Sequence, residues 1–351
     1  MALRRSKSRS SKALPPIVFR WDLDKTYLES EFESLRQMVR IPFEKPEDKV
    51  AVPGVVPLIR NLREVATSAG REVRVYFISA SPPQIAKAIK EKLTLDGIVY
   101  DGIVFKNQLH HLVRGRFRNL REHVGYKLTE LLKSRRDMPP ESRELLFGDD
   151  WESDPLIYSL YADLLAGRLA AEDLDSILKP IGVDARLLAV AKDLVDGLAA
   201  AEVVRKIFIN VERRTPPTRF RSFGPRLVPT FNYFQTAACL YDDGYLTLPA
   251  VAEVAAGLVE ATAATPHRFA NALDDITRRG HLRPASATVL REYLREHRLL
   301  PRQSKAARPS LWQRLQSWFA STPEPTPPRD EAIDYQALIA QWRGAHTEQR
   351  A

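Results

Sequence analysis

Strand-like and helix-like stretches alternate along this chain in a way that marks it as α/β, with a doubly wound parallel sheet followed by a C-terminal all-helical module. Short apolar runs rich in β-branched and aromatic residues alternate with amphipathic stretches between residues 16 and 211. The polar motifs fall at the ends of those runs, where open α/β sheets place their ligands. From about residue 228 strand signals give way to helical spacing.

The elements follow in order. Arg4, Arg5, Lys7, Arg9 and Lys12 precede the first acid, Asp22, so residues 1–14 read as a disordered basic arm. A strand over 16–22 opens an α/β domain spanning 15–213. An irregular segment with PFEKPED and VPG leads to the helix VPLIRNLREVATSAG, closed by Gly70. Val73–Ile78 is a strand, PQIAKAIKEKL a helix, and Gly97–Phe105 a strand with a turn in it. A helix around Tyr126–Leu132 precedes the strand Glu144–Phe147, and DPLIYSLYADLLAG is helical. Residues 170–204 read as a helical excursion and Arg205–Val211 as a last strand. The helical module covers 228–300, and 301–351 hold a basic amphipathic helix, the Pro-rich linker STPEPTPPRD and a short terminal helix.

Composition narrows the function classes. The chain has 351 residues, 44% of them hydrophobic, which suits one large folded domain or two smaller ones. Its single cysteine, Cys239, excludes a disulfide framework and sits in an apolar helical stretch, where core packing is expected. No secretory h-region follows the basic N-terminus, and no run approaches 20 uncharged apolar residues, so a cytoplasmic location is expected. The net charge of +9 suits nucleic acid or an anionic membrane surface, or a solvated arm. The arm has no interleaved aromatics, so a nucleic-acid stacking platform is not favoured. Leu311, Trp312, Leu315, Trp318 and Phe319 share one helical face behind Arg302, Lys305 and Arg308. That pattern suits a helix docked on the protein body, an interfacial membrane helix or a partner contact.

The chemistry begins at Asp22-Leu23-Asp24-Lys25-Thr26, where an apolar run ends in two carboxylates one residue apart. Two carboxylates aimed at one point repel unless a cation sits there. Asp22 can attack a phosphoryl group, and Asp24 can protonate the leaving oxygen and then deprotonate water. Thr26 would hold the turn between them, and a backbone carbonyl of Leu23 or Asp24 can help bind a metal. Ser79, at the end of the second strand, can donate to a phosphoryl oxygen. Lys127 can neutralise the nucleophile and the transferred group. In GDDWESD, Asp149 with Asp150 or Asp154 can complete an oxygen shell for Mg²⁺. Asp154-Pro155 can equally cap the next helix. His110 and His111 lie near Arg114, Arg116, Arg118 and Arg121, in a phosphate-facing or solvated loop. Cys/His metal spacing, a P-loop and a dinucleotide fingerprint are all absent.

These four pieces, in this order, resemble the haloacid dehalogenase (HAD) superfamily of phosphotransferases. VPGVVPLIRNL, FISASPPQ, Lys127 and LLFGDDWESDPLIY resemble more narrowly the catalytic domain of actin-patch type phosphatidate phosphatases and their bacterial relatives, over roughly 16–212. The resemblance implies a HAD-like sheet, and the roughly fifty residues between the first and second motifs, like those between the second and Lys127, leave no room for a large cap. It also implies a Mg²⁺-dependent phosphatase with catalytic Asp22, Asp24, Ser79 and Lys127. Thr26 and Ser81 would face substrate, and Asp22, Asp24, Asp149, Asp150 and Asp154 the metal. The implied substrate is a phosphatidate-like phosphomonoester at a membrane surface. Three departures lie beside the site: Lys25 replaces a usual Asp, Pro83 a usual Trp, and Asp150-Trp151 a usual Ser-Gly. They bear on substrate choice and leave open a phosphatase for protein or polynucleotide phosphate ends. A non-catalytic scaffold is a third reading, which the intact Asp22 and Asp24 disfavour.

Overall fold

The computed structural model describes residues 14–29, 49–79, 85–105, 116–151, 153–213, 215–301 and 332–340. The basic arm, Ser81, Pro83, the His110-His111 loop, the helix at 311–319 and the Pro-rich linker lie outside them. Six strands form one sheet: β1 (Ile17–Asp22), β2 (Val73–Ser79), β3 (Gly102–Phe105), β4 (Arg143–Asp149), β5 (Val204–Asn210) and β6 (Leu227–Thr230). Their order is β3-β2-β1-β4-β5-β6, and every pairing is parallel. Such a sheet is covered on both faces, which is why the central strands are apolar at successive positions.

The two-residue period of the strands sorts these side chains between two layers. Ile17, Phe19 and Trp21 of β1, Leu145 and Phe147 of β4, and Phe208 of β5 face one core. That core is closed by α1 (Val55–Ser68), α2 (Ala86–Leu95), and four C-terminal helices. These are α7 (Tyr233–Asp242), α8 (Leu248–Thr262), α9 (Pro266–Arg278) and α10 (Pro284–Glu296). Trp21 stacks on Phe147 at 3.8 Å between ring centroids, and Phe147 on Phe208 at 5.4 Å, so an aromatic stack runs across three strands. Leu146, Ile207 and Ile209 face the other core. It is covered by α3 (Arg116–Arg136), α4 (Asp154–Leu165), α5 (Asp173–Leu178) and α6 (Ala185–Asp196). Tyr335 and Ile339, from the helical segment 335–340, also pack there, and the Tyr335 hydroxyl donates to Asp163 Oδ2 at 2.7 Å.

The stretch Gly97–Phe105 is, as expected, a strand with a turn in it, the strand being β3, while two other elements differ from the sequence reading. Gly97 turns the chain at φ 62°, and the Asp101 carboxylate accepts from the Val75 N–H, so the first half of that stretch is a turn against β2. The helix expected around Tyr126–Leu132 runs 21 residues as α3. Arg205–Val211 is not the last strand, because β6 pairs with β5. The boundary drawn before the helical module therefore falls inside the sheet. Phe234, Cys239 and Val251 of the module share one core with Trp21 and Phe147.

On its α3 side, β1 carries a buried charge. Arg20 donates to Glu144 Oε2 at 2.5 Å, and Glu144 also accepts from Arg135 of α3 at 3.1 Å and Tyr161 of α4 at 2.9 Å. Burial pulls the Arg20 pKa down, but the Glu144 carboxylate outweighs it and raises the net value. Glu144→Ala leaves two guanidinium groups buried without their carboxylate. Its expected cost is about 3–5 kcal/mol, read from the urea unfolding midpoint. A loss below about 1 kcal/mol would show that the network is dispensable.

Candidate active site

Asp22 is the last residue of β1 and shares the α3 face with Arg20 two residues before it. A side chain from α3 is therefore the natural partner. Lys127 Nζ donates to Asp22 Oδ1 at 2.6 Å and to Asp154 Oδ1 at 2.8 Å, with all three groups buried. Asp149 ends β4, the neighbour of β1 in the sheet, so its carboxylate arrives beside that of Asp22. Asp154 opens α4, directly after Ser153 at its N-cap. A carboxylate there is favoured by the helix dipole.

Asp22, Asp149 and Asp154 each present a carboxylate oxygen, and these oxygens lie within 4.8 Å of one another. Two like charges at that separation repel by about 3 kcal/mol at an effective dielectric constant of about 20. Lys127 offsets one of the three negative charges. A divalent cation with oxygen ligands matches the remaining charge and the hard donor set, so the residues present fit such a metal.

Gly148 makes this convergence possible. A Cβ there would meet Asp154 Oδ2 at 2.4 Å, Asp154 Cβ at 2.7 Å and Tyr158 Cε2 at 2.8 Å. The glycine is required because the first turn of α4 lies directly on β4. Tyr158 lies under this turn and donates to the Phe147 carbonyl. Burial, then the charge of Asp154, pushes its hydroxyl pKa well above 10.

The remaining residues singled out from the sequence separate into groups. Ser79, buried at the end of β2, donates to Asp24 Oδ2 at 3.0 Å. The Asp24 carboxylate lies outside the trio of converging acids. Thr26 is buried, with its hydroxyl donating to Asp149 Oδ2 at 3.4 Å, so it supports a carboxylate from behind. Asp150 requires a correction as a metal-facing acid. Its Oδ1 accepts from the backbone N–H groups of Glu212 at 2.9 Å and Arg213 at 3.1 Å, and its Oδ2 from Thr215 at 2.7 Å. Asp149 thus faces the trio while Asp150, at the bend after β4, is held by the loop after β5. Cys239 is buried, and desolvation pushes its thiol up to about 12, consistent with core packing.

Beside the site, Trp151 gathers charged residues around its ring. Lys25 sits in the left-handed region at φ 61°, with Nζ 5.2 Å from the centre of the Trp151 ring. The Arg213 guanidinium lies 4.6 Å from the same ring. The Trp151 backbone N–H donates to Asp149 Oδ1 at 2.6 Å, so one residue both steadies a carboxylate and carries the cations. Glu212 completes the group, and burial raises its carboxyl pKa against the opposing effect of Lys25. Tyr233, from α7, donates to the carbonyl of Thr26 across 207 residues of sequence. Trp151 was visible only as a departure from a motif, and Arg213 and Tyr233 have no local signal at all.

Gly148→Ala tests the geometry. The methyl would have to displace Asp154 or Tyr158, so metal-induced thermal stabilisation should fall by about tenfold or more in apparent affinity. An unchanged metal titration would show that α4 can retreat without disturbing the trio.

A search of curated proteins returned no match. Residues 21–171, from the end of β1 to the turn beyond α4, match the model of the HAD-like family described as phosphatidate phosphatase APP1, catalytic domain, the family that the four motifs resemble.

Proposed function

We propose that this chain is a Mg²⁺-dependent phosphatase acting through an aspartyl-phosphate on Asp22, with a phosphatidate-like lipid as substrate. The observation that carries the reading is the convergence of Asp22, Asp149 and Asp154 around Lys127, in a segment that matches a phosphatidate phosphatase family. Asp22, Asp149 and Asp154 would hold the metal. When bound, Mg²⁺ supplies the positive charge that lets a phosphoryl group approach these carboxylates.

The chain's own groups account for the proton and bond changes. Lys127, 2.6 Å from Asp22 Oδ1, fixes that carboxylate in place for attack on phosphorus. As the Asp22–phosphorus bond forms, the ester P–O bond breaks, and Asp24 gives its proton to the departing alkoxide. Asp24 then takes a proton from a water that attacks the same phosphorus, releasing inorganic phosphate and restoring Asp22. The Ser79 hydroxyl at 3.0 Å holds Asp24 in place between these transfers.

The lipid assignment draws on the family match and on the charge distribution. Lys25, Trp151 and Arg213 gather cations and an indole beside the site, a combination suited to an anionic interface. The basic arm and the Trp-bearing stretch at 311–319 add sequence features of the same kind. Among the described residues no helix is long and apolar enough to cross a membrane. We place the protein in the cytoplasm with peripheral membrane contact. The net charge of +9 also suits a polynucleotide phosphate end, which the assay below separates.

Phosphate release should be measured for the wild type and Asp22→Asn on a small aryl phosphate, short-chain phosphatidate micelles, phosphopeptides and end-phosphorylated oligonucleotides. Mg²⁺-dependent release from phosphatidate is expected, abolished by chelation and reduced about a thousandfold or more in the variant. Retained activity in Asp22→Asn would refute the nucleophile, and release confined to oligonucleotides would refute the lipid. Trp151→Ala keeps the backbone N–H that steadies Asp149. It should therefore raise KM for vesicle-borne phosphatidate about threefold or more while sparing aryl phosphate hydrolysis. An equal loss on both substrates would count against an interfacial role.

A further inference from the structure

We propose that Tyr233 is a positioning residue of the active site, through which helix α7 sets the carboxylate of Asp149. The inference rests on the metal-site reading above and extends it beyond the family-matched segment, which ends at residue 171.

Tyr233 is the first residue of α7, behind Asn232, whose side chain caps the helix by accepting from the Gln235 N–H at 3.0 Å. Its ring is buried and tilted against Trp21, with centroids 6.1 Å apart. Its hydroxyl donates to the Thr26 carbonyl at 2.5 Å. The Thr26 hydroxyl in turn donates to Asp149 Oδ2. Tyr233, Thr26 and Asp149 therefore form a continuous polar chain from the helical module to one of the three converging carboxylates.

The geometry gives this chain a mechanical meaning. Residues 23–28 form a tight loop, closed by Tyr27 and Leu28 N–H groups on the Leu23 carbonyl and by the Lys25 N–H on the Leu28 carbonyl. That loop carries Asp24 and Thr26, so its height over the sheet decides where both side chains stand. Tyr233 ties this loop to α7 through the Thr26 carbonyl. Burial, then the negative charges of Asp149, Asp22 and Glu212, keep the phenol protonated and hence a donor. The helix is itself held by the module, with Phe234 edge-on to Phe269 of α9 at 4.8 Å. Metal-supporting residues one step removed from the ligands commonly tune affinity in this manner.

Tyr233→Phe removes only the hydroxyl and keeps the ring against Trp21. The readout is the thermal shift of the full chain during a Mg²⁺ titration, alongside the Mg²⁺ concentration for half-maximal phosphate release. Both half-saturation points should rise about three- to tenfold in Tyr233→Phe and about tenfold in Thr26→Val. Thr26→Ser, which keeps the hydroxyl, should restore the wild-type value. The double variant Tyr233→Phe/Thr26→Val should be no worse than Thr26→Val alone, because both act through one chain of bonds. An unchanged Mg²⁺ titration in Tyr233→Phe, additive effects in the double variant, or collapse of the metal-free fold would each overturn the proposal in favour of a structural tyrosine. Absence of any Mg²⁺-induced shift in the wild type would instead bring down the metal-site reading on which it rests.

Discussion

Three carboxylates share one buried space at the ends of β1 and β4, and much of the surrounding architecture serves to make that tolerable. Mutual repulsion of buried like charges would drive them apart or protonate them. The parallel pairing of β1 with β4 brings Asp22 and Asp149 to the same end of the sheet. Gly148 lets α4 close down so that Asp154 joins them. Lys127 then reaches from α3 to bridge Asp22 and Asp154. The residual negative charge and the oxygen donors of this trio fit a hard cation.

The same face of β1 repeats this logic one step deeper. Arg20 and Glu144 pair beneath Asp22, and α3 supplies Arg135 to them as it supplies Lys127 to the site. One helix thus contributes cations to a structural network and to a chemical one. A shift of α3 along the sheet would disturb both at once, so the stability of the Arg20–Glu144 network constrains the geometry of Lys127. The buried residues of α3, among them Val124, Leu128, Leu131 and Leu132, anchor it in the same core as α4.

The chain beyond the family-matched segment is part of the same body. Strand β6 widens the sheet, and the aromatic stack Trp21–Phe147–Phe208 is roofed by the C-terminal helices. Beside the site, Asp150 anchors the loop after β5 and so places Arg213 beside Trp151. Tyr233 meets the loop that carries Asp24 and Thr26. The family-matched segment supplies the converging carboxylates and Lys127, while later parts of the chain shape what surrounds them.

The primary structure was sufficient for the alternating elements, the parallel sheet and the order of the four motifs, because period-two burial and helical amphipathicity are local. It also pointed to Asp22, Lys127, Asp149 and Asp154 as partners, since catalytic groups collect at strand ends in this architecture. It could not show that Asp150 turns to the loop after β5 rather than to its neighbour's partners, because that depends on where residues 212–215 arrive. Nor could it show that Thr26 supports Asp149, that β6 extends the sheet, or that Tyr233 reaches the loop over residues 23–28. Those facts arise from contacts between segments far apart in the chain, which exist only once both faces of the sheet are covered.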